Sequence, residues 1–168
     1  MEYLWAPWRM EYILAPKAEG CIFCSKPAES KDRDHLIIRR GQQSFIILNY
    51  YPYNNGHLMI VPYRHVSRLY ELTAAEQREM MEFLAESSKI LTDFLRSDGL
   101  NIGMNLGKTA GAGIDDHLHF HIVPRWNGDT NFMPIFGHTK VLPQGLFELY
   151  DQLYPLFQSP GRQLVAGQ

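Results

Sequence analysis

The sequence predicts an α+β domain, and three observations predict it. Five short apolar segments have strand character, one long amphipathic stretch lies between the third and fourth, and the fifth carries its alternation on histidines. The chain has 168 residues, enough for one domain with a sizeable core. That domain is expected to span residues 1–168, with residues 1–20 as an arm and 158–168 as a loose tail.

The arm is rich in aromatics and broken by Pro7 and Pro16; Trp5 and Trp8 are read as covering apolar surface. Residues 35–40 and 44–48 are short apolar segments separated by Gly41-Gln42-Gln43, which predicts an antiparallel hairpin. His35, among charged residues, is read as solvated. Residues 49–56 are a turn by composition, and residues 57–62 read as a third strand. Thr73 and Glu76 form a capping-box pattern, so a helix starts near Thr73. Met80, Met81, Leu84, Leu91, Phe94 and Leu95 give it an apolar stripe, and Gly99 is expected to end it. Residues 100–106 and 117–123 read as the fourth and fifth strands, and residues 144–157 as a last helix.

Composition removes several function classes. A net charge of −2 gives no general attraction to nucleic-acid polymers, although a small anion needs only local donors. The N-terminal residues lack the apolar run of a signal peptide, and no stretch approaches membrane-spanning length. The cytoplasm is the expected compartment. Cys21 and Cys24 are the only cysteines, spaced C-x-x-C. A redox dithiol and half of a zinc site are both open readings, and the absence of a clear strand before or helix pattern after the pair favours zinc.

The chemistry gathers at Asp116-His117-Leu118-His119-Phe120-His121-Ile122-Val123-Pro124. On a strand, the three imidazoles project from one face, roughly 6.5–7 Å apart, while Leu118, Phe120 and Ile122 point to the other. Three polar rings on one face are hard to read as packing, because each nitrogen needs a partner. Two chemistries want such a row. A metal hydrolase would take imidazoles as ligands and keep a position open for water. A covalent catalyst would use one neutral imidazole as nucleophile, oriented by its neighbours. The preceding loop, Gly107-Lys108-Thr109-Ala110-Gly111-Ala112-Gly113-Ile114, allows close backbone approach to an anion but is neither a P-loop nor a dinucleotide fingerprint. After the row, Arg125-Trp126 opens a long loop carrying an aromatic ring and cations, through His138 and Lys140.

These residues resemble the histidine triad family of nucleotide hydrolases and transferases. The pattern His-apolar-His-apolar-His-apolar-apolar is met from His117 to Val123, and Asn49 with Gly56-His57-Leu58-Met59-Ile60-Val61-Pro62 matches the family's other main segment. Trp5-Ala6-Pro7-Trp8-Arg9, Ala110-Gly111-Ala112-Gly113, Pro124-Arg125-Trp126 and Asn131-Phe132-Met133-Pro134 look like a narrower branch, the bacterial diadenosine tetraphosphate phosphorylases. The resemblance implies a five-stranded antiparallel sheet with one long and one shorter helix, and a homodimer. It implies that His119 attacks an α-phosphorus to form a nucleotidyl-histidine and that His121 contacts the phosphate or departing oxygen. Asn105, Gly113 and Ile114 would stabilise charge on the non-bridging oxygens. Asn49 matches a ribose-contacting position, with His57 near the same pocket, and Arg125 and Trp126 are taken as further substrate-binding residues. The substrates implied are an adenine nucleotide and inorganic phosphate, with no organic cofactor.

The family also resembles galactose-1-phosphate uridylyltransferases, where a C-x-x-C pair, a histidine after the third strand and the first triad histidine bind structural zinc. The matching residues are Cys21, Cys24, His65 and His117. Where many family members carry Gln followed by Ser or Thr before the triad, this chain has Ala112, Gly113, Ile114, Asp115 and Asp116. Both carboxylates are expected to face away from a polyphosphate, and the missing donors fit phosphorolysis better than phosphoramidate hydrolysis. Phosphoramidate or sugar-nucleotide chemistry and a non-catalytic nucleotide sensor remain the alternatives.

Overall fold

The computed structural model describes residues 20–129 and 142–158. The expectations for the arm, for Asn131 through Lys140 and for the tail lie outside those residues. In chain order the elements are α1 (Ile22–Ala28), α2 (Asp32–His35), β1 (Ile37–Arg40), β2 (Ser44–Leu48), β3 (Leu58–Pro62), α3 (Ala74–Leu95), β4 (Gly99–Gly103), β5 (Phe120–Arg125) and α4 (Leu146–Gln158). The strands form one antiparallel sheet in the order β1-β2-β3-β5-β4. The expected α+β architecture is therefore the observed one.

The register tells which residues share a face. Ser44, Ile46 and Leu48 pair with Pro62, Ile60 and Leu58, and Leu58 pairs with Ile122. Ser44 donates its hydroxyl to Glu79 of α3 at 2.7 Å, so α3 lies on this face. Phe45, Ile47 and Met59 occupy the opposite face, and Met59 stands across from His121. β2 and β3 are buried along their whole lengths, which requires cover on both sides. α4 supplies part of it: Tyr150 and Gln158 donate side-chain hydrogen bonds to the carbonyls of Ile37 and Ile38.

Several boundaries differ from the sequence reading. The segment expected to start a strand at His35 starts with α2, and Leu36 caps that turn in the left-handed region at φ 61°. A bulge between Ile37 and Arg39 then begins the ladder. Helix α3 opens as expected, with Glu76 N–H donating to Thr73 Oγ1 and Thr73 N–H donating to the Glu76 carboxylate. It ends at Leu95 with Arg96 left-handed, not at Gly99, which already belongs to β4. Trp126 explains the stop. Its indole N–H donates to the carbonyls of both Leu95 and Arg96, so the helix end is satisfied from the residue just after β5. The apolar stripe is also narrower than expected: Met80, Phe83, Leu84, Ile90 and Leu91 are buried, whereas Met81 and Phe94 are exposed.

The regular ladder of the fifth strand begins at Phe120, later than His117. The preceding residues are held differently, because Leu118 N–H donates to the Val66 carbonyl at 2.7 Å in the connection leaving β3. The fourth strand is likewise shorter than expected and exposed at the sheet edge.

Candidate active site and metal centre

His121 stands on the sheet face opposite α3, across from Met59, with the His119 ring beside it and His117 two residues further back, and each ring has a different set of partners. His119 and His121 meet edge to face with ring centroids 4.7 Å apart. His119 Nδ1 lies 2.9 Å from the carbonyl of His117. A carbonyl only accepts, so Nδ1 carries the proton and Nε2 keeps its lone pair. Ser87 Oγ is the buried side-chain atom without a partner among the described residues. His119 Nε2 makes no hydrogen bond there, so it must reach the surface, although the residue as a whole is only 7% exposed. Burial also holds the His119 ring's pKa below its ordinary value, favouring the neutral form.

His121 takes the opposite tautomer. The backbone N–H of Tyr53 donates to His57 Nδ1 at 3.1 Å, and the Asn49 amide nitrogen donates to the same atom at 3.2 Å. His57 Nε2 therefore carries the proton and donates it to His121 Nδ1 at 2.9 Å. His121 in turn holds its proton on Nε2. His57 is fully buried, beneath the Tyr53 ring at 4.7 Å. It is joined to the histidine row by the bond to His121. The Asn49 carbonyl oxygen accepts from Tyr51 N–H, and buried Asn54 donates to the carbonyl of Pro124 and to Asp129. Gly56 takes φ +76°, and a Cβ there would lie 2.5 Å from Leu95 Cδ1 and 3.1 Å from Pro124 Cγ. The turn that carries His57 is thus packed directly on the end of α3.

His117 belongs to a second centre. Its Nε2–H donates to the Pro62 carbonyl at 2.9 Å, turning Nδ1 toward Cys21 Sγ at 3.2 Å and Cys24 Sγ at 3.6 Å. His65 Nδ1 lies 3.3 Å from Cys24 Sγ. Ligand atoms of Cys21, Cys24, His65 and His117 all fall within 4.8 Å of one another. With Zn–S near 2.3 Å and Zn–N near 2.0 Å, the edges of a tetrahedral site should measure roughly 3.3–3.8 Å. The four residues fit a metal ion of that kind. Without one, burial and the neighbouring Cys21 thiol push the Cys24 thiol up to about 11. The knuckle itself was misread: a helix does follow, with Cys21 at the N-cap of α1 and Cys24 in its first turn. Seven residues with Pro27 inside leave too little periodicity to reveal it.

The remaining candidates are more scattered. Asn105 donates at 3.5 Å to the Gly111 carbonyl, at the left-handed end of a 3₁₀ turn over Lys108–Ala110. Gly113 is exposed and Ile114 packs against the core edge. Arg125 is committed to Asp129 and Asn101, and Trp126 to the helix end, so neither is drawn to the histidine row. Asp115 lies 3.8 Å from Lys108, and Asp116 lies 3.8 Å from His65 on the metal side. Two residues escaped the sequence reading: Tyr53, whose ring also lies 5.8 Å from that of His121, and Phe23. Tyr53 stands four residues before His57 in the turn, a spacing that could have flagged it.

With this geometry in place, known proteins provide a comparison. The protein-family model of the HIT domain matches residues 30–128. The AP-4-A phosphorylase of Mycobacterium tuberculosis is 42% identical over 152 residues, covering 86% of this chain and 78% of that protein. A zinc-bound histidine triad family protein from Mycobacterium smegmatis has a TM-score of 0.66 at 24% identity, covering 83% of this chain and 94% of its own, a likeness of fold. A hypothetical histidine triad nucleotide-binding protein from Sulfolobus tokodaii has a TM-score of 0.63 at 28% identity, covering 82% and 89%.

Proposed function

The chain belongs to the histidine triad (HIT) family, and from that premise we propose that it is a nucleotidyl transferase cleaving diadenosine tetraphosphate at an α-phosphorus. The observation that carries the reading is the pair of opposed tautomers, a lone pair on His119 Nε2 beside a proton on His121 Nε2. The lone pair of His119 attacks the α-phosphorus and the bridging P–O bond breaks. ATP departs with the bond's electrons on its terminal oxygen, where the His121 N–H donates a hydrogen bond. The ring left on phosphorus is cationic at the imidazole, and its Nδ1–H remains bonded to the His117 carbonyl. An oxygen of inorganic phosphate then attacks the same phosphorus, the P–N bond breaks, and ADP leaves with His119 restored.

Backbone and amide donors at Asn105, Gly113 and Ile114 serve the non-bridging oxygens, and Asn49 serves the ribose. Arg125 and Trp126 act one step removed, by fixing the loop after β5. Zinc is the proposed metal. Cys21, Cys24, His65 and His117 would hold it with two thiolates and two imidazoles, and a site closed in that way would supply folding energy and leave no position to activate water. A second copy of the chain is the proposed partner, and the exposed edge strand β4, with Ile102 47% exposed, supports it. No helix among the described residues is long and apolar enough to cross a membrane. A reduced C-x-x-C pair fits the cytoplasm.

The test runs the reaction with and without phosphate and separates the products by chromatography. ADP and ATP in phosphate indicate phosphorolysis. AMP and ATP in both conditions indicate that water resolves the intermediate. Tight nucleotide binding without turnover would leave a sensor, and brisk cleavage of an adenosine phosphoramidate alone would change the substrate class.

A further inference from the structure

We propose that Phe23 is a positioning residue for His119: the knuckle that carries Cys21 and Cys24 to the metal centre also presses an aromatic ring against the nucleophile. The inference rests on the reading of His119 as the attacking group. Cys21 accepts N–H bonds from Cys24 and Ser25 through its carbonyl, both at 3.1 Å, and so starts α1. A turn that only delivers two thiolates places no demand on the residues between them. Here one of those two is a phenylalanine, 1% exposed and part of the hydrophobic core. Its ring lies 4.9 Å from the His119 ring at 52° and 5.5 Å from the His117 ring at 71°.

One hydrogen bond does not fix an imidazole. The bond from Nδ1 to the His117 carbonyl restrains that nitrogen, yet the ring can still pivot about the Nδ1···O line and swing Nε2 through an arc. Two ring contacts oppose the pivot, Phe23 at 4.9 Å and 52° and His121 at 4.7 Å and 77°. The aromatic pair adds a geometric preference beyond buried area. Aim matters because a displacement of about 1 Å at the reacting atom can cost roughly a hundredfold in rate. The chemistry and the metal centre therefore meet at two points, His117, whose side chain faces the thiols while its carbonyl holds His119, and Phe23, whose flanking cysteines are the thiols themselves.

The experiment compares Phe23→Leu with Phe157→Leu, both in the full chain. Phe157 is equally buried but packs in α4 on the β1 side of the fold. Metal content, melting temperature, kcat and KM for diadenosine tetraphosphate are measured on each. Long-range ¹H–¹⁵N spectra report the His119 tautomer without any substrate. For Phe23→Leu we expect kcat to fall about 10- to 100-fold with KM nearly unchanged, metal content retained, and the single Nδ1–H pattern of His119 broadened or mixed. Phe157→Leu should lose comparable thermal stability and keep both kcat and spectrum. Equal kcat and spectra in the two variants would overturn the proposal. So would a rise in KM at constant kcat, which would place the ring against the bound base. Phe23→Met, unbranched and longer than leucine, is read by the same criteria if the leucine variant does not fold. A wild type with no turnover but a spectrum sensitive to Phe23 would defeat the proposed function and leave the positioning role standing.

Discussion

The two ends of the histidine row are built from the same side chain and come out as different devices. At one end His117 and His65 face two thiols, with the Pro62 carbonyl holding the far nitrogen of His117. At the other, His121 is held by His57, which is held in turn by the Tyr53 N–H and the Asn49 amide. His119 stands between them and takes its tautomer from a backbone carbonyl. The role of each imidazole is decided by what faces its second nitrogen, not by its place in the repeat.

The contrast breaks most severely at the metal end. Closed thiolate–imidazole sites carry apparent binding free energies on the order of 10 kcal/mol at neutral pH. Cys21→Ser or Cys24→Ser should therefore abolish the expected one metal per chain and lower the melting temperature well before nucleotide affinity suffers. Elemental analysis beside calorimetry tests this, and a metal-free wild type with unchanged melting in the variants would remove the metal from the account. In the middle of the row, His119→Ala should cost a thousandfold or more in turnover, about 4 kcal/mol of barrier, with fold and nucleotide binding kept. Near-normal turnover in that variant, abolished by a chelator, would favour a metal hydrolase.

A smaller effect sharpens the metal end from behind. Buried Glu76 receives Arg64, Thr73 N–H and the Thr73 hydroxyl, and Arg64 adjoins His65, which faces the Cys24 thiol. These partners, the Arg64 guanidinium first, hold the Glu76 carboxyl down at about 2 against an ordinary 4.5. A depressed carboxyl stabilises the fold above its unfolded pKa, so this contribution is complete above pH 4.5 and is lost as pH falls toward 2. Glu76→Gln should thus lower stability by about 2–3 kcal/mol at neutral pH, and its denaturation midpoint should converge on that of the wild type in acid. The smallest effect is at the far end. His57→Leu should reduce kcat about tenfold, roughly 1.4 kcal/mol, because His121 loses the donor that sets its tautomer, while KM holds.

How much of this could be read in the sequence depends on how local the cause is. The Thr73–Glu76 box and the hairpin turn at Gly41 are written within a few residues, and both form where expected. The end of α3 is not local: Trp126, some thirty residues on, satisfies its carbonyls, so Gly99 was a reasonable but wrong signal. His117 and His119 alternate like strand residues, yet the partner of the adjoining Leu118 is Val66, in a connection with no strand pattern. The site separates in the same way. Residue types at fixed spacing revealed the row and the thiol pair. That His57 would be sealed under Tyr53 and that Arg125 would be spent on Asp129 are outcomes of packing.

Gly56 has a consequence for how substrate gets in. Its backbone lies against Leu95 and Pro124 too closely for any side chain, and Asn54 beside it is buried and bonded to the strand that carries His121. The second half of the turn therefore has little room to hinge, while Tyr50 and Tyr51 in its first half are exposed. Residues 54–57 are expected to behave as a doorpost that stays still if a nucleotide enters beside it, so that any closing movement is hung elsewhere.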